Sequence, residues 1–221
     1  MKGYTGVLEN GEAVYYVDRK RWLWSLSVVY PLQPFISIWL HYLTGNELWF
    51  LLPFFGNYVV APFLDWAIGE DQNNPPEEVV MQLDRDPYYR RLTYIVVPLH
   101  FITLFGSAWY ALTQPLSWWG FALLAIVAGL TAGLAINTAH ELGHKNSKLE
   151  KTLAKIVLAV PGYGHFSLEH NRGHHMDVST PDDPASARMG ESFYRFALRE
   201  IPGAFQRAWQ IEKERLALRD R

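Results

Sequence analysis

Four stretches of the chain carry almost no charge, and each is close to the roughly 20 apolar residues needed to cross a bilayer core. The first, WLWSLSVVYPLQPFISIWLHYL, covers residues 22–43. The second covers 48–67 and is interrupted only by Asp65, the third covers 92–113, and the fourth, built on WWGFALLAIVAGL, covers 117–138. A soluble protein could bury such helices only beneath polar ones, and this chain is too short to supply them. The pattern therefore predicts an all-α, polytopic membrane helix bundle. Pro34 in the first span and Pro53 and Pro62 in the second predict kinks that shape a cavity. After the second span Gly69, two asparagines and two prolines discourage helix. Residues 151–164 are apolar but too short to span, which suits an interfacial or re-entrant helix. STPDDPASARMGES reads as a turn-rich loop, and the chain from Phe205 as a charged surface helix.

Charge adds an orientation. Lys2, Arg19, Lys20 and Arg21 precede the first span, Arg85, Arg90 and Arg91 lie between the second and third, and all remaining Lys and Arg follow the fourth. The short links TGNE and QPLS have none, so all 20 basic residues fall on one side. Basic loops stay in the cytoplasm. The expected arrangement is one membrane-embedded domain over residues 1–221 in the inner membrane, with a cytoplasmic N-terminus and a cytoplasmic region over 139–221. Trp22, Trp24, Trp109, Trp118 and Trp119 sit near span ends, as an aromatic belt places them. A net charge of −2 argues against a nucleic-acid partner, because such binding rests on neutralising many phosphates. The N-terminal segment is polar throughout and shows no cleavable signal. With no cysteine, any metal must sit on histidine and carboxylate.

Candidate ligands are concentrated just past the fourth span. In AHELGHK, His140 and His144 are four apart and share one helical face, within about 40°. In LEHNRGHHMD, His170 and His174 repeat that spacing and His175 adjoins them. HELGH matches the His-Glu-x-x-His pattern of zinc proteases, in which Glu141 would act as general base. A catalytic zinc takes three protein ligands, however, and five histidines exceed one such site. The surplus points to two metals, with Glu141, Glu169 and Asp65 as carboxylates able to hold an imidazole N–H. His100, inside the third span, is an intramembrane ionisable residue facing a possible cavity. His165 reads as structural.

The chain resembles the integral-membrane, non-haem di-iron alkane 1-monooxygenases. The resemblance is carried by PFLDWAIGEDQNNPPEEVV, NTAHELGHK, GYGHFSLEHNRGHH and TPDDPASARMGESFYRFALREIPGAF, which with the intervening spans cover nearly the whole chain. The second and third stretches look like the family's first two histidine boxes. The resemblance implies insertion of one oxygen atom of O2 into the terminal methyl of a medium-chain alkane, at two iron ions. Two electrons would come from a reduced rubredoxin. His140, His144, His170, His174 and His175 match the family's iron ligands.

A lipid-soluble alkane could enter between spans one to three, with Phe54, Phe55, Asn57 and His100 as channel residues. Arg172, Arg188, Arg195 and Arg199 offer a basic surface for the electron donor. The family has further histidine motifs downstream, so these residues are expected to be the N-terminal part of a longer polypeptide. The alternatives are a membrane zinc metalloprotease using HELGH and a non-catalytic membrane metal-binding fragment.

Overall fold

The computed structural model describes residues 2–71 and 73–219. Strands β1 (Lys2–Val7) and β2 (Ala13–Asp18) form an antiparallel hairpin with Tyr4 opposite Tyr16. Helices α1 (Arg21–Thr44) and α2 (Glu47–Ile68) follow, then the short α3 (Glu77–Asp84). Next come α4 (Pro87–Thr113) and α5 (Trp118–Gly143), α6 (Lys148–Val157), α7 over residues 166–177 and α8 (Phe193–Arg219). By contacts the chain divides into two compact units, one ending at Thr138 and the other beginning at Ala139.

The first unit is built on α1, α2, α4 and α5, which are long and apolar enough to cross a membrane. Their outward faces are apolar: Leu112 is 81% exposed and Trp66 79%. Exposed apolar surface on that scale belongs against lipid rather than water. Together these features make the protein a multi-pass, all-α membrane protein.

Proline breaks the regularity of the first two spans. In α1 the stretch over Tyr30–Leu32 tightens to a 3₁₀ turn around Pro31 before the α-helix resumes at Gln33, with Pro34 in its first turn. In α2 a π-helical turn, Gly56–Val60, precedes Pro62, and the Ala61 amide reaches back five residues to the Gly56 carbonyl. Pro62 has no amide to give the Tyr58 carbonyl, so the ladder must change register there.

Ile38, Phe50, Tyr110 and Leu124 tie the four spans together in a buried cluster. Beside it the Tyr110 hydroxyl lies 2.7 Å from His41 Nδ1. The Glu47 carboxylate, at the start of α2, accepts hydrogen bonds from the Ser117 amide (2.6 Å) and hydroxyl, and so caps α5. Gly120 makes room for this: a Cβ there would come within 2.3 Å of the Glu47 carboxyl carbon.

The hairpin was not foreseen from the polar N-terminus. Its signal is present in Asn10-Gly11, a tight-turn pair between two alternating segments. The Asn10 side chain accepts the Glu12 amide at 3.0 Å, and Gly11 adopts φ +85°. The Asp86 carboxylate is one anchor of the hairpin. Asp86, with its side chain 1% exposed, accepts from Lys2 Nζ (2.8 Å), the Tyr4 hydroxyl (2.5 Å) and both terminal nitrogens of Arg21 (2.6 and 3.0 Å). It also caps α4 through the Tyr88 amide at 2.9 Å. The Arg21 hydrogen bonds hold the Asp86 carboxyl well below the usual carboxylate range. Burial, followed by the bond to Asp86, pushes the Tyr4 hydroxyl up to about 12.

In the second unit, α6 is amphipathic. It buries Glu150, Ala154 and Val157 and exposes Lys148, Lys151 and Lys155. This is the helix that fills the apolar stretch after residue 150. The C-terminal helix α8 begins twelve residues ahead of the expected Phe205, at Phe193, and packs Ala204 and Ala208 inward.

Candidate metal centre

The last turn of α5 carries His140, and His144 follows one turn on, with their Nε2 atoms 3.0 Å apart. The second group departs from the expected helix. Residues His170–His174 form a π-helical turn, and the His175 amide reaches back five residues to the His170 carbonyl. Widening the turn by one residue returns position i+5, rather than i+4, above position i. His175 Nε2 therefore lies 3.1 Å from His170 Nε2, while the His170 and His174 rings merely stack at 5.4 Å. Such wide turns occur often at functional sites.

His170 joins the two groups. Its Nε2 is 3.5 Å from His144 Nε2, and ligand nitrogens of His140, His144 and His170 all lie within 4.8 Å of one another. Four imidazole nitrogens thus follow one another at 3.0, 3.5 and 3.1 Å. An ion about 2.1 Å from each nitrogen would hold neighbouring nitrogens about 3.0–3.4 Å apart in tetrahedral or octahedral geometry. The spacing fits a metal, and the all-imidazole donors suit iron, zinc or copper. Burial, aided by four neighbouring imidazoles, pushes the His170 pKa down to about 4. That of His144 is also lowered, first by burial and then by His140 and His175. Both rings are therefore neutral at pH 7, the form that donates to a metal.

His174 takes a different partner. Its Nδ1–H donates to Asp183 at 2.8 Å. Asp183, 1% exposed, also accepts from Ser186 Oγ (2.5 Å) and the Ala185 amide (3.0 Å). Burial alone would raise its carboxyl, but the bonds from Ser186, Ala185 and His174 outweigh this and hold it below its ordinary value. Arg207 of α8 lies 3.9 Å away, donates to the Asp182 carbonyl at 3.1 Å and pairs with Asp177. Gly173 admits this close packing: a Cβ would come within 2.9 Å of both Arg207 Nε and Glu169 Oε1.

The candidate carboxylates fall in different settings. Glu169 is 3% exposed, its Oε1 has no hydrogen-bond partner among the described residues, and burial raises its pKa. Glu141 is exposed and ion-paired with Lys145 at 2.7 Å. Asp65 is exposed in the last turn of α2, in the first unit. His100 is 2% exposed, with Nε2 3.4 Å from Thr138 Oγ1.

The first unit holds a cavity of about 220 Å³ among α1, α2 and α5, lined by Tyr30, Asn57, Tyr58, Val127, Leu130 and Leu134. Of the four expected channel residues only Asn57 reaches it. Hydrogen bonds from Tyr30 (2.9 Å) to Asn57 and from Asn57 to Gln33 (3.3 Å) turn that amide inward. Phe54 and Phe55 lie on the exposed flank at 44% and 52%, and α5, not α4, completes the wall.

The comparisons with known proteins agree with this picture. A fatty acid desaturase family profile matches residues 116–221, which include every histidine of the cluster. An alkane 1-monooxygenase of Ectopseudomonas oleovorans is 54% identical over 92% of this chain and 51% of its own length. One from Pseudomonas putida is 52% identical over 99% of this chain and 54% of its own. The chain is a homologue of the alkane 1-monooxygenases. Alkane 1-monooxygenase 1 of Alcanivorax borkumensis adds 54% identity over 91% of this chain and half of its own length. The chain thus spans about half the length of these alkane 1-monooxygenases. The resemblance read from the histidine stretches holds, and the cluster is a candidate metal site.

Asp183, Ser186 and Arg207 were missed in the sequence. Asp183 and Ser186 gave no signal beyond their place in a turn-rich loop, where carboxylates are ordinarily solvated, and Arg207 none beyond its place in a charged helix. Arg199, expected in a docking surface, instead closes this loop. It binds Glu191 (2.7 Å) and the carbonyls of Pro184 and Ser186 (both 2.9 Å).

Proposed function

We propose that this chain supplies the membrane spans and the first histidine ligands of an alkane 1-monooxygenase. The observation that carries the reading is the convergence of His140, His144 and His170, whose ligand nitrogens all lie within 4.8 Å of one another, with His175 Nε2 3.1 Å from that of His170, in a homologue of those enzymes. His140, His144 and His170 would hold one metal, with His175, beside His170, as a further ligand of the site. His174, facing Asp183, would serve a second, with Glu169 and Glu141 as outlying carboxylates. The metal is iron, two ions in the complete site, supplying the activation of O2. One oxygen atom enters the terminal methyl of a medium-chain alkane. The other leaves as water, with two electrons from rubredoxin and two protons. The membrane is the bacterial inner membrane, with the metal site cytoplasmic. The exposed Arg172, Arg188 and Arg195 remain available to an acidic electron donor.

A zinc protease is disfavoured by Glu141. The general base of HELGH would have to face metal-bound water, whereas here it is exposed and paired with Lys145. A purely metal-binding fragment leaves the cavity among the spans without a purpose. At about 220 Å³ the cavity exceeds the roughly 150 Å³ that admits benzene in an engineered dry cavity.

The deciding experiment is conversion of octane to 1-octanol, under O2 and with reduced rubredoxin, by membranes containing the protein expressed from its complete reading frame. In the same assay Asn57→Ala, which enlarges the cavity, should shift preference several-fold toward longer alkanes, and Asn57→Trp toward shorter ones. An identical chain-length profile in both variants would remove the cavity from the substrate path.

A further inference from the structure

We infer that Asp183 is the positioning residue of His174, fixing its tautomer and orientation so that Nε2 is presented to a metal. This rests on the proposed metal site and goes beyond it, since the residue lies outside both histidine stretches and comes from the loop that follows them. An ionised carboxylate can only accept, so the proton shared with His174 sits on Nδ1, and the Nε2 lone pair is left free. The contact is 2.8 Å and the Asp183 side chain is fully buried.

Asp183 is itself held from three directions. Ser186 and the Ala185 amide fix it within the loop, and Arg207 of α8 approaches its other oxygen at 3.9 Å. Arg199 staples the same loop to α8 through the Pro184 and Ser186 carbonyls. A carboxylate serving only the fold would not need to meet a histidine within a histidine cluster. Asp183 does, and on His174, whose ring stacks on His170 at 5.4 Å, while it is His175 that brings Nε2 within 3.1 Å of His170 Nε2. The π turn at His170–His174 explains the division: it brings His175 against His170 and leaves His174 to be oriented by something else.

The test measures Co2+ binding by the complete protein in detergent, by visible absorption and by metal per chain, alongside helical circular dichroism and thermal unfolding. Asp183→Asn keeps the side-chain size and can donate an N–H to Nδ1, favouring the wrong tautomer. Loss of such a carboxylate partner typically weakens metal affinity 10–100-fold. That loss is expected for the site served by His174, with circular dichroism unchanged. Because the two residues act as a unit, adding Asp183→Asn to His174→Ala should cost nothing further. Asp183→Glu should recover part of the affinity. Unchanged Co2+ affinity in Asp183→Asn, or losses that simply add, would overturn the assignment even if unfolding shifts to lower temperature. A wild-type protein that binds no Co2+ would defeat the metal reading itself, and the two failures are therefore distinguishable.

Discussion

His170→Ala should reduce bound metal to background and abolish alkane hydroxylation. His170 is the member of the cluster whose nitrogen meets both flanking groups, at 3.5 Å to His144 and 3.1 Å to His175. Removing it takes away one ligand and also separates the two groups that must share an ion. His140 and His144 alone form a pair on one helix, and two imidazoles do not retain a metal against dilution as three or four do. The measurement is metal per chain after desalting, with helical circular dichroism as the control for folding. Metal retained at the wild-type level would show that the centre lies elsewhere.

The same residue sets a pH dependence. Its folded-state pKa of about 4 lies below the ordinary 6.5. Between those values the unfolded chain binds more protons than the folded one, so metal-free stability falls as pH drops through that window. Protons compete poorly for His170 at pH 7, and metal should stay bound until the solution is well into the acid range.

Asp86→Ala should be the most destabilising single change in the first unit. The substitution removes the carboxylate paired with the Lys2 ammonium and the acceptor of a two-pronged Arg21 bond, and leaves a guanidinium only 21% exposed. Breaking a buried pair from one side typically costs about 3–5 kcal/mol. The lost cap on α4 adds about 1 kcal/mol. The first consequence is release of the β1–β2 hairpin, visible as faster amide exchange over residues 2–18 and cleavage at the Asn10-Gly11 turn. Asp86→Asn keeps an acceptor for the Tyr88 amide and should lose less. Because the folded carboxyl lies below its ordinary 3.8, its contribution is fully present above that pH and disappears as pH falls toward the folded value. Hairpin exchange unchanged in Asp86→Ala would place the anchor elsewhere.

Much of this architecture is legible along the chain because its cause is local. A 20-residue run without charge has no stable home except lipid, so the spans and their all-α class follow from composition by segment. The His140 and His144 pair is equally legible, since an α-helix puts positions four apart on one face whatever surrounds it. Asn10-Gly11 announced the hairpin through turn chemistry and was passed over only because its strands are short and polar on one side.

Residue order by itself determined the membrane spans, the restriction of metal donors to histidine and carboxylate, and the two histidine groups that could hold a metal. Tertiary structure decided which histidine does what. An α-helix predicts that His174 joins His170. The π turn sends His175 there instead, and that wider turn is packed around Gly173, where Arg207 from α8 and Glu169 approach too closely for any side chain. The partner of His174 was equally hidden, because a loop carboxylate becomes an internal acceptor only when distant segments fold over it and exclude water. Periodicity describes a residue's own element; which atoms of other elements it meets depends on contacts that no local pattern encodes.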